Sequence, residues 1–497
     1  MDVIFSPQPF LSPELSLHAQ AFIRTAYGLL LCGTLLIALP HWRRFFLSER
    51  WGGYAQSLRE VELIQNPVIA PLVLAVWWAC GVLIAAGVWS PWPAVLNLFF
   101  CRYFFIAMRW KGLARGMGAP GFTLYWGGLS VALLEYCLWY APDVRPLALQ
   151  VLQADFALIY LSSGFYKFSA GYPQNHGMEI GMANPAWGYW WKTYMNMPPS
   201  HGLFRFLNHL AWSSQILAGI LMLFPPTRFI GGMIIIGMFI FIATQIRLAL
   251  LCEVVILSSG VIFFHPGSAG DQLLATIVGP VAQPAVESFP GLGVFNTGLV
   301  ILLGVYLILL PLAHGGLSYN FYLRRSFPLP IQKVLEKYTN FFGLIVWRVF
   351  SVDLINFLIR VYRCPEGRTH ERVLISCHGR AGGYRFDHVV ESITLACIFT
   401  TLKYYPTNRA LFDERLLRYA KTFEYQPHDL LLFEYVSLKK ESDRFVFTPV
   451  AEYVVDLRAM TVKEHILDAS ISTRAAHAVS PVHEGLRPGT YAPSGGR

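Results

Sequence analysis

Apolar residues run along the chain in long blocks that short polar segments separate. Blocks of about 20 residues, the length that crosses the hydrocarbon core of a bilayer as a helix, lie at 20–40, 69–89, 93–109, 121–141, 147–167, 207–225, 228–247, 249–265 and 293–313. This pattern predicts an all-α polytopic membrane bundle of about nine transmembrane helices within residues 1–320.

After residue 320 the apolar pattern becomes interrupted by charge. The stretch Tyr338–Tyr362 is apolar but contains Arg348, Asp353 and Arg360. Apolar residues on one face and charges on the other are typical of a helix that lies in the membrane interface. We therefore predict an interfacial amphipathic helix and linker over residues 321–368.

The last part of the chain has the pattern of a soluble domain. Strand-like runs ("RVLISCHG", "DLLLFEYVSL", "DRFVFTPVAEYVVDL") accompany two helical segments that open at Asp387 and Asn408, both good capping residues. Residues 369–467 are predicted to form a small soluble α+β domain, which could bind a protein partner. The Pro/Gly/Ser/Ala-rich tail, 468–497, is predicted to be disordered.

Composition supports a membrane protein, since 55% of the residues are hydrophobic and only 14% are charged. The net charge of +9 does not indicate nucleic-acid binding, because the basic residues fall in alternate loops. They follow the first, third, fifth and ninth blocks: Arg43, Arg44, Arg50, Arg59, Arg109, Lys111, Arg115, Lys192, Arg205, Arg324, Arg325 and Lys333. Basic loops mark the cytoplasmic side. We expect a multi-pass cell-membrane protein with its N-terminus outside and its soluble domain in the cytoplasm.

Three carboxylates lie within the apolar blocks, Glu135 in the fourth, Asp155 in the fifth and Glu253 in the eighth. A charge at the centre of a bilayer costs about 2.5–3.5 kcal/mol, so it needs a partner or a function. One interpretation is helix pairing, for example Arg102 with Glu135. The other is a polar cavity, because the spacing places Asp155, Ser162 and Tyr166 on one helical face.

Lys167 stands where the fifth block ends, and two interpretations of it remain open. A lysine at a helix end commonly extends its ammonium group to the lipid head groups. Alternatively, Lys167 is the base of an active site. The loop that follows carries His176, Trp187, Trp190 and Trp191, which could form an interfacial aromatic belt or a lid over a cavity beside Lys167.

Two further segments have weaker patterns. The glycine-rich basic stretch Arg109–Phe122 reads as a solvated loop or a cradle for an anionic head group. In the soluble domain, His370, Cys377, His378, Asp387 and His388 have spacings of no standard metal site, so we predict none.

The stretch "IYLSSGFYKFSAGYPQNHGMEIG", the tryptophan-rich loop and "LNHLAWSSQILAGILMLFPPTRFIGGMIIIGMFIFIATQIRLAL" together resemble the horizontally transferred transmembrane (HTTM) domain family. That family includes the vitamin K-dependent γ-glutamyl carboxylases. The matching features are Gly164 and Lys167 at the end of a span, and the proline turn that leads to Arg228. The resemblance covers roughly residues 94–264.

The resemblance implies that Lys167 is the base that deprotonates a reduced, vitamin K-like quinone. Tyr166, Asp155 and Glu135 would then surround the reacting group. Trp187, Trp190, Trp191, His176 and Gln245 would contact the cofactor. The alternative is a non-catalytic membrane scaffold or permease-like protein whose cytoplasmic domain docks a partner, because two histidines of the carboxylases have no counterpart in "GMGAPGFTLYW" and "GMFIFIATQIRLAL".

Overall fold

Helices dominate the computed structural model, and one five-stranded antiparallel sheet follows them. The described residues are 13–108, 114–248, 250–282, 285, 290–322, 327–345, 352–376, 386–405, 407–423, 426 and 428–467. The helices are α1 (Leu17–Ala38), α2 (Trp42–Phe46), α3 (Arg59–Glu62), α4 (Ile69–Ala86), α5 (Trp92–Cys101), α6 (Ala114–Tyr140), α7 (Arg145–Ser169), α8 (Met178–Ala183), α9 (Trp191–Met195), α10 (Gly202–Leu223), α11 (Arg228–Gln245), α12 (Leu251–Ile262), α13 (Ala269–Val278), α14 (Leu292–Tyr322), α15 (Leu329–Phe342), α16 (Val352–Ile355), α17 (Phe386–Phe399), α18 (Thr401–Tyr404) and α19 (Arg409–Ala420). The strands are β1 (Phe357–Cys364), β2 (Val373–Leu374), β3 (Leu430–Lys440), β4 (Phe445–Asp456) and β5 (Thr461–Ile466).

Within the described residues, six helical segments are long and apolar enough to cross a membrane. They are Leu17–Phe46, Ile69–Ala86, Pro142–Ser169, Gly202–Leu223, Pro225–Gln245 and Leu292–Asn320. The predicted third and eighth spans appear as the shorter apolar helices Trp92–Ala107 and Leu251–Ile262. The fourth falls on α6. The chain therefore has the multi-pass membrane architecture that its sequence predicts, whereas the count of nine spans is not confirmed.

Glycines hold α7 and α10 close together. A Cβ atom on Gly164 would lie 2.8 Å from the backbone nitrogen of Ile216, and one on Gly219 would lie 2.9 Å from that of Leu161. Small residues at such crossings allow helix backbones to approach in a membrane, where packing replaces the hydrophobic effect as the driving force. The glycine three residues before Lys167 thus sets the distance between the helix of Lys167 and its neighbour.

Substituting Gly164 by alanine is expected to destabilise the protein by about 1–3 kcal/mol, because the added methyl group overlaps the α10 backbone. Gly237 on α11 provides the matched control, since a Cβ atom there meets nothing within 4 Å. Thermal unfolding in detergent measures both variants. Equal melting temperatures for Gly164→Ala and Gly237→Ala would contradict the close crossing.

Helix α15 turns back along α14 towards the middle of that helix. At one end, Asn320 Nδ2 donates a hydrogen bond to Gln332 Oε1 at 2.9 Å. At the other, the rings of Tyr306 and Phe342 lie 4.8 Å apart. The order of these contacts shows that the two helices are antiparallel, so the carboxyl end of α15 lies deep against the bundle.

The segment Tyr338–Tyr362, predicted as one interfacial helix, is instead divided. Helix α15 ends at Gly343, whose φ of +73° is left-handed and suits glycine. Residues 346–351 lie outside the described part, and strand β1 begins at Phe357. In "FLIRVY", Phe357, Ile359 and Val361 lie in the core that the sheet forms with its covering helices, whereas Leu358 lies in the core of the bundle. Successive side chains of a strand point to opposite faces, so the apolar run buries β1 on both faces.

The C-terminal domain, which we call the sheet domain, has the strand order β2-β1-β3-β4-β5 and is covered by α17 and α19. Its two predicted helical segments are present, and the runs "DLLLFEYVSL" and "DRFVFTPVAEYVVDL" form β3 and β4. The run "RVLISCHG" contributes only the short strand β2 within the described residues, and β1 is a strand that the sequence did not predict. The domain packs against the membrane helices and the loop after α7. There, Asn184 Nδ2 donates to the carbonyl oxygens of Ile355 (2.7 Å) and Phe357 (2.9 Å), which fixes the start of the sheet on that loop.

Candidate functional site

Lys167 lies inside the bundle, with 3% of its surface exposed. Its Nζ donates to Gln215 Oε1 on α10 at 2.8 Å and to Ser163 Oγ, one turn earlier on α7, at 3.1 Å. Within the part of the chain that the structure describes, no carboxylate forms a salt bridge with Lys167. A side chain that extends to the lipid head groups would be exposed, so this geometry argues against the anchoring interpretation.

Gln215 and Ser163 are neutral acceptors, and both are buried. Burying a charged group without a counter-ion is costly, whereas a buried neutral amine needs only hydrogen-bond partners. A neutral amine has two N–H groups and one lone pair. The two acceptors use both N–H groups and leave the lone pair available to accept a proton.

The predicted polar face of α7 is buried along its length. Asp155, Ile159, Ser162 and Tyr166 are each 2–5% exposed. Ser162 Oγ, however, donates to its own helix at the carbonyl of Ile159, at 2.9 Å. The face therefore packs in the protein interior, as a membrane carboxylate requires.

Asp155 and Lys167 occupy different depths of the bundle. They are separated by about 18 Å along α7, twelve residues at about 1.5 Å each. Asp155 Oδ2 accepts a hydrogen bond from Trp126 Nε1 of α6 at 2.9 Å. Its Oδ1 lies 3.9 Å from His314 Nε2 of α14. The two residues that the sequence places on one helix thus belong to two separate clusters.

Glu135 belongs to a third cluster, and the predicted pairing with Arg102 is wrong. Its carboxylate lies 3.6 Å from Arg24 Nη1 and accepts hydrogen bonds from Gln20 (3.0 Å) and Ser90. Arg102 instead donates to the carbonyl oxygen of Phe341 in α15. The sequence alone does not show whether Arg24 or Arg102 pairs with Glu135, because the pairing depends on which helices are adjacent in the fold. The contacts of Glu135 are those of helix pairing.

The aromatic segment, Trp187–Trp191, lies beside α11 and the sheet domain. Trp190 is 58% exposed and its Nε1 donates to the carbonyl of Thr244 at 3.0 Å. The ring of Trp191 lies 6.3 Å from that of Phe447, and Trp187 is buried. These contacts attach the segment to neighbouring protein, and none of them reaches Lys167.

The other two predicted cofactor contacts, Gln245 and His176, lie at the end of α11 and in the loop after α7. Gln245 accepts a hydrogen bond from the Tyr194 hydroxyl, and its amide group donates to Thr244 Oγ1 at 2.9 Å. His176 is exposed and packs on Gly171. Neither side chain has a described contact with Lys167. Their role towards a cofactor stays a prediction.

Only part of the glycine-rich stretch, and only some of the candidate metal-binding residues, lie within the described part of the chain. Residues 109–113 lie outside the described part, and from Ala114 the chain is already helical as α6, so the predicted loop is shorter than expected. Cys377, His378 and the side chains of Asp387 and His388 also lie outside it. The described residues contain no group of three or more His, Cys, Asp or Glu side chains that could hold a metal ion.

A buried network, which we call the docking network, joins the loop to the sheet domain. Glu179 is completely buried and accepts hydrogen bonds from Asn208 Nδ2 (2.7 Å), Lys440 Nζ (2.7 Å) and the backbone nitrogen of Gly177. Lys440 also donates to the carbonyl of Asn175 at 2.6 Å. The ion pair therefore ties β3 to the segment that directly follows the helix of Lys167.

Sequence reasoning missed several residues of these clusters, among them Gln215 and His314. Each has a signal in the sequence, because each is a polar residue in an apolar helix, in "WSSQIL" and "PLAHGG". A polar side chain within a membrane helix is expected to face a partner. The partner itself can be known only from helix packing.

The chain matches no protein-family model, no curated protein and no solved structure. Its function must therefore be argued from its own residues.

Proposed function

We propose that the protein is a membrane enzyme that binds a lipid-soluble ligand of the quinone class, with Lys167 as the base that accepts a proton from it. The observation that carries this proposal is the burial of Lys167 Nζ on two neutral acceptors, Gln215 and Ser163. In this proposal the bundle is HTTM-like, the N-terminus is outside and the sheet domain is cytoplasmic.

The arrangement suits proton abstraction from a hydroxyl group. Gln215 and Ser163 orient the amine, so that its lone pair points away from both of them. The surrounding helices exclude bulk water, which would otherwise compete for the proton. A reduced quinone would supply the hydroxyl group and, with dioxygen, the oxidation chemistry. A positioned base of this kind contributes about 10²–10⁴-fold to a rate.

Close packing gives Lys167 this position. Gly164 brings α10 against α7, and Gln215 stands on α10 next to Ile216, the residue that Gly164 contacts. The base and its orienting group therefore depend on the same helix crossing. The docking network begins in the loop that follows, so the sheet domain can stabilise the cytoplasmic end of this pair of helices.

The test uses the purified protein in lipid nanodiscs. A panel of reduced quinones with short isoprenoid tails is added under oxygen, and oxygen uptake and product mass are followed. The proposal predicts saturable binding and a quinone product that contains added oxygen. Absence of both binding and turnover across the panel, in protein that is folded and monodisperse, would overturn it.

A specific observation favours a second candidate, the scaffold. The sheet domain is fixed to the bundle by an ion pair whose carboxylate, that of Glu179, is completely buried. A firm attachment of this kind suits a domain that passes a signal between a partner and the bundle. Quinone binding without turnover would support this alternative, because the bundle would then act as a sensor. The two proposals are separated by the same panel, since only the enzyme consumes oxygen.

A further inference from the structure

Four buried polar atoms without a hydrogen-bond partner belong to three residues that lie near one another in the bundle. They are Asp155 Oδ1, both ring nitrogens of His314, and the hydroxyl of Tyr338. Asp155 and His314 are 4% and 5% exposed. An unsatisfied buried polar group costs about 1–3 kcal/mol, so several at one place point to a polar guest. We call these three residues the Asp155 cluster.

Three elements from distant parts of the chain build the cluster. Asp155 is on α7, His314 on α14 and Tyr338 on α15, the helix that turns back along α14. The indole of Trp126 on α6 binds Oδ2 of the carboxylate, which leaves Oδ1 directed to His314. Trp126 therefore orients the carboxylate through Oδ2 alone. The hydroxyl of Tyr306 on α14 also lies within hydrogen-bonding range of this carboxylate, so a guest would share it with Tyr306.

The end of α15 does not use these side chains as caps. The nitrogen of Leu344 donates to the Thr339 carbonyl at 2.8 Å, and Arg102 donates to that of Phe341. The Phe342 carbonyl accepts from the Tyr125 hydroxyl at 3.5 Å. The backbone of the helix end is thus satisfied by other groups, and the polar atoms of the Asp155 cluster stay available.

We propose that the Asp155 cluster is a second binding site, for the hydroxyl group of an otherwise apolar phenol-like molecule. The 3.9 Å gap between Asp155 Oδ1 and His314 Nε2 allows one oxygen atom to lie about 2.8 Å from both. That oxygen donates its hydrogen to the carboxylate and accepts one from the imidazole, and the Tyr338 hydroxyl lies within electrostatic range on α15. An ether oxygen has no hydrogen to donate, so the site distinguishes a phenol from its methyl ether.

This site is separate from Lys167, at about 18 Å along α7. It does not depend on proton abstraction by Lys167, and it goes beyond the proposed enzyme activity. A single ring cannot contact both positions. The two sites can therefore fail or succeed independently in an experiment.

The test compares two probes that differ only in the hydroxyl hydrogen. Tritiated 4-nonylphenol is bound to the full chain in nanodiscs, with empty nanodiscs subtracted, and 4-nonylanisole is the competitor. The phenol is expected to bind at least about ten-fold more tightly than the ether, because only the phenol can donate a hydrogen bond to the carboxylate. Equal affinities would overturn the proposal and leave the cluster as a site for water only.

Single substitutions test whether the preference for the phenol over the ether arises at the Asp155 cluster. Asp155→Asn keeps the bond to Trp126 but places an amide donor where Oδ1 stood, so the preference for the phenol should disappear. Tyr338→Phe, which removes one hydroxyl, should reduce it by about three-fold. Lys167→Met and the exposed Asp143→Asn should retain the full preference for the phenol. Size-exclusion profiles and melting temperatures verify folding, and a preference that survives in both folded cluster variants would contradict the assignment.

Discussion

Replacing Lys167 by methionine is expected to abolish turnover while ligand binding is retained. Methionine fills a similar volume and keeps the helix crossing, but it has no lone pair that can take a proton. The loss of a positioned base predicts a decrease of about 10²–10⁴-fold in kcat. Oxygen uptake with the best reduced quinone measures kcat, and equilibrium binding of the same quinone measures retention of the site.

Two further variants make this prediction specific. Lys192→Met removes an exposed lysine of the following loop and should leave turnover unchanged. Gln215→Leu removes the acceptor that orients Nζ, and should lower kcat less than Lys167→Met does. A folded Lys167→Met variant that turns over at the wild-type rate would show that this lysine is structural.

Replacing Lys440 by methionine is expected to detach the sheet domain from the bundle. The substitution leaves the completely buried Glu179 without its cation, and breaking a buried ion pair from one side costs about 3–5 kcal/mol. Glu179 keeps the donors of Asn208 and Gly177, so we expect the lower end of that range. Limited proteolysis should separate the sheet domain from the bundle faster, and the melting temperature should fall.

The neighbouring Lys439 supplies the control, because it is exposed on the same strand. Lys439→Met should behave as the wild type. The double variant Lys440→Met/Glu179→Gln removes both charges and should recover much of the loss, since no uncompensated charge stays buried. If Lys440→Met and Lys439→Met are equally stable, the docking network does not hold the domain.

The helices with long apolar runs follow from sequence because the requirement for about 20 apolar residues is local. Leu292–Asn320 and Ile69–Ala86 are such cases. The strands β3 and β4 of the sheet domain are local in the same sense, since they are runs of 11 and 12 residues that contain many apolar, aromatic and β-branched side chains. These elements needed no knowledge of the rest of the fold.

The environment of Lys167 was only half predictable. The lysine itself stands out at the end of an apolar run, and Gly164 before it indicates a close crossing. Its partner Gln215 is 48 residues away on another helix. Which face of α10 meets α7 depends on packing, so the sequence could name a candidate base but not the group that orients it.

The Asp155 cluster shows more clearly what could not be predicted from the sequence. Asp155 is predictable as a membrane carboxylate, whereas its approach to His314 requires α14 to pack beside α7. Tyr338 joins them only because α15 turns back along α14, and a 14-residue helix carries no local sign of that path. The same is true of Glu135. It pairs with Arg24 and not with Arg102, because the helix of Arg24 is the one that lies beside it.

The central claim is that Lys167 is held inside the bundle and not at the lipid head groups. Acetylation of the intact protein in nanodiscs with a water-soluble amine reagent, read by mass spectrometry, tests it most directly. The account predicts rapid modification of Lys192 and Lys333, with Lys167 modified only after denaturation in detergent. Modification of Lys167 at the rate of Lys192 in the folded protein would contradict the account.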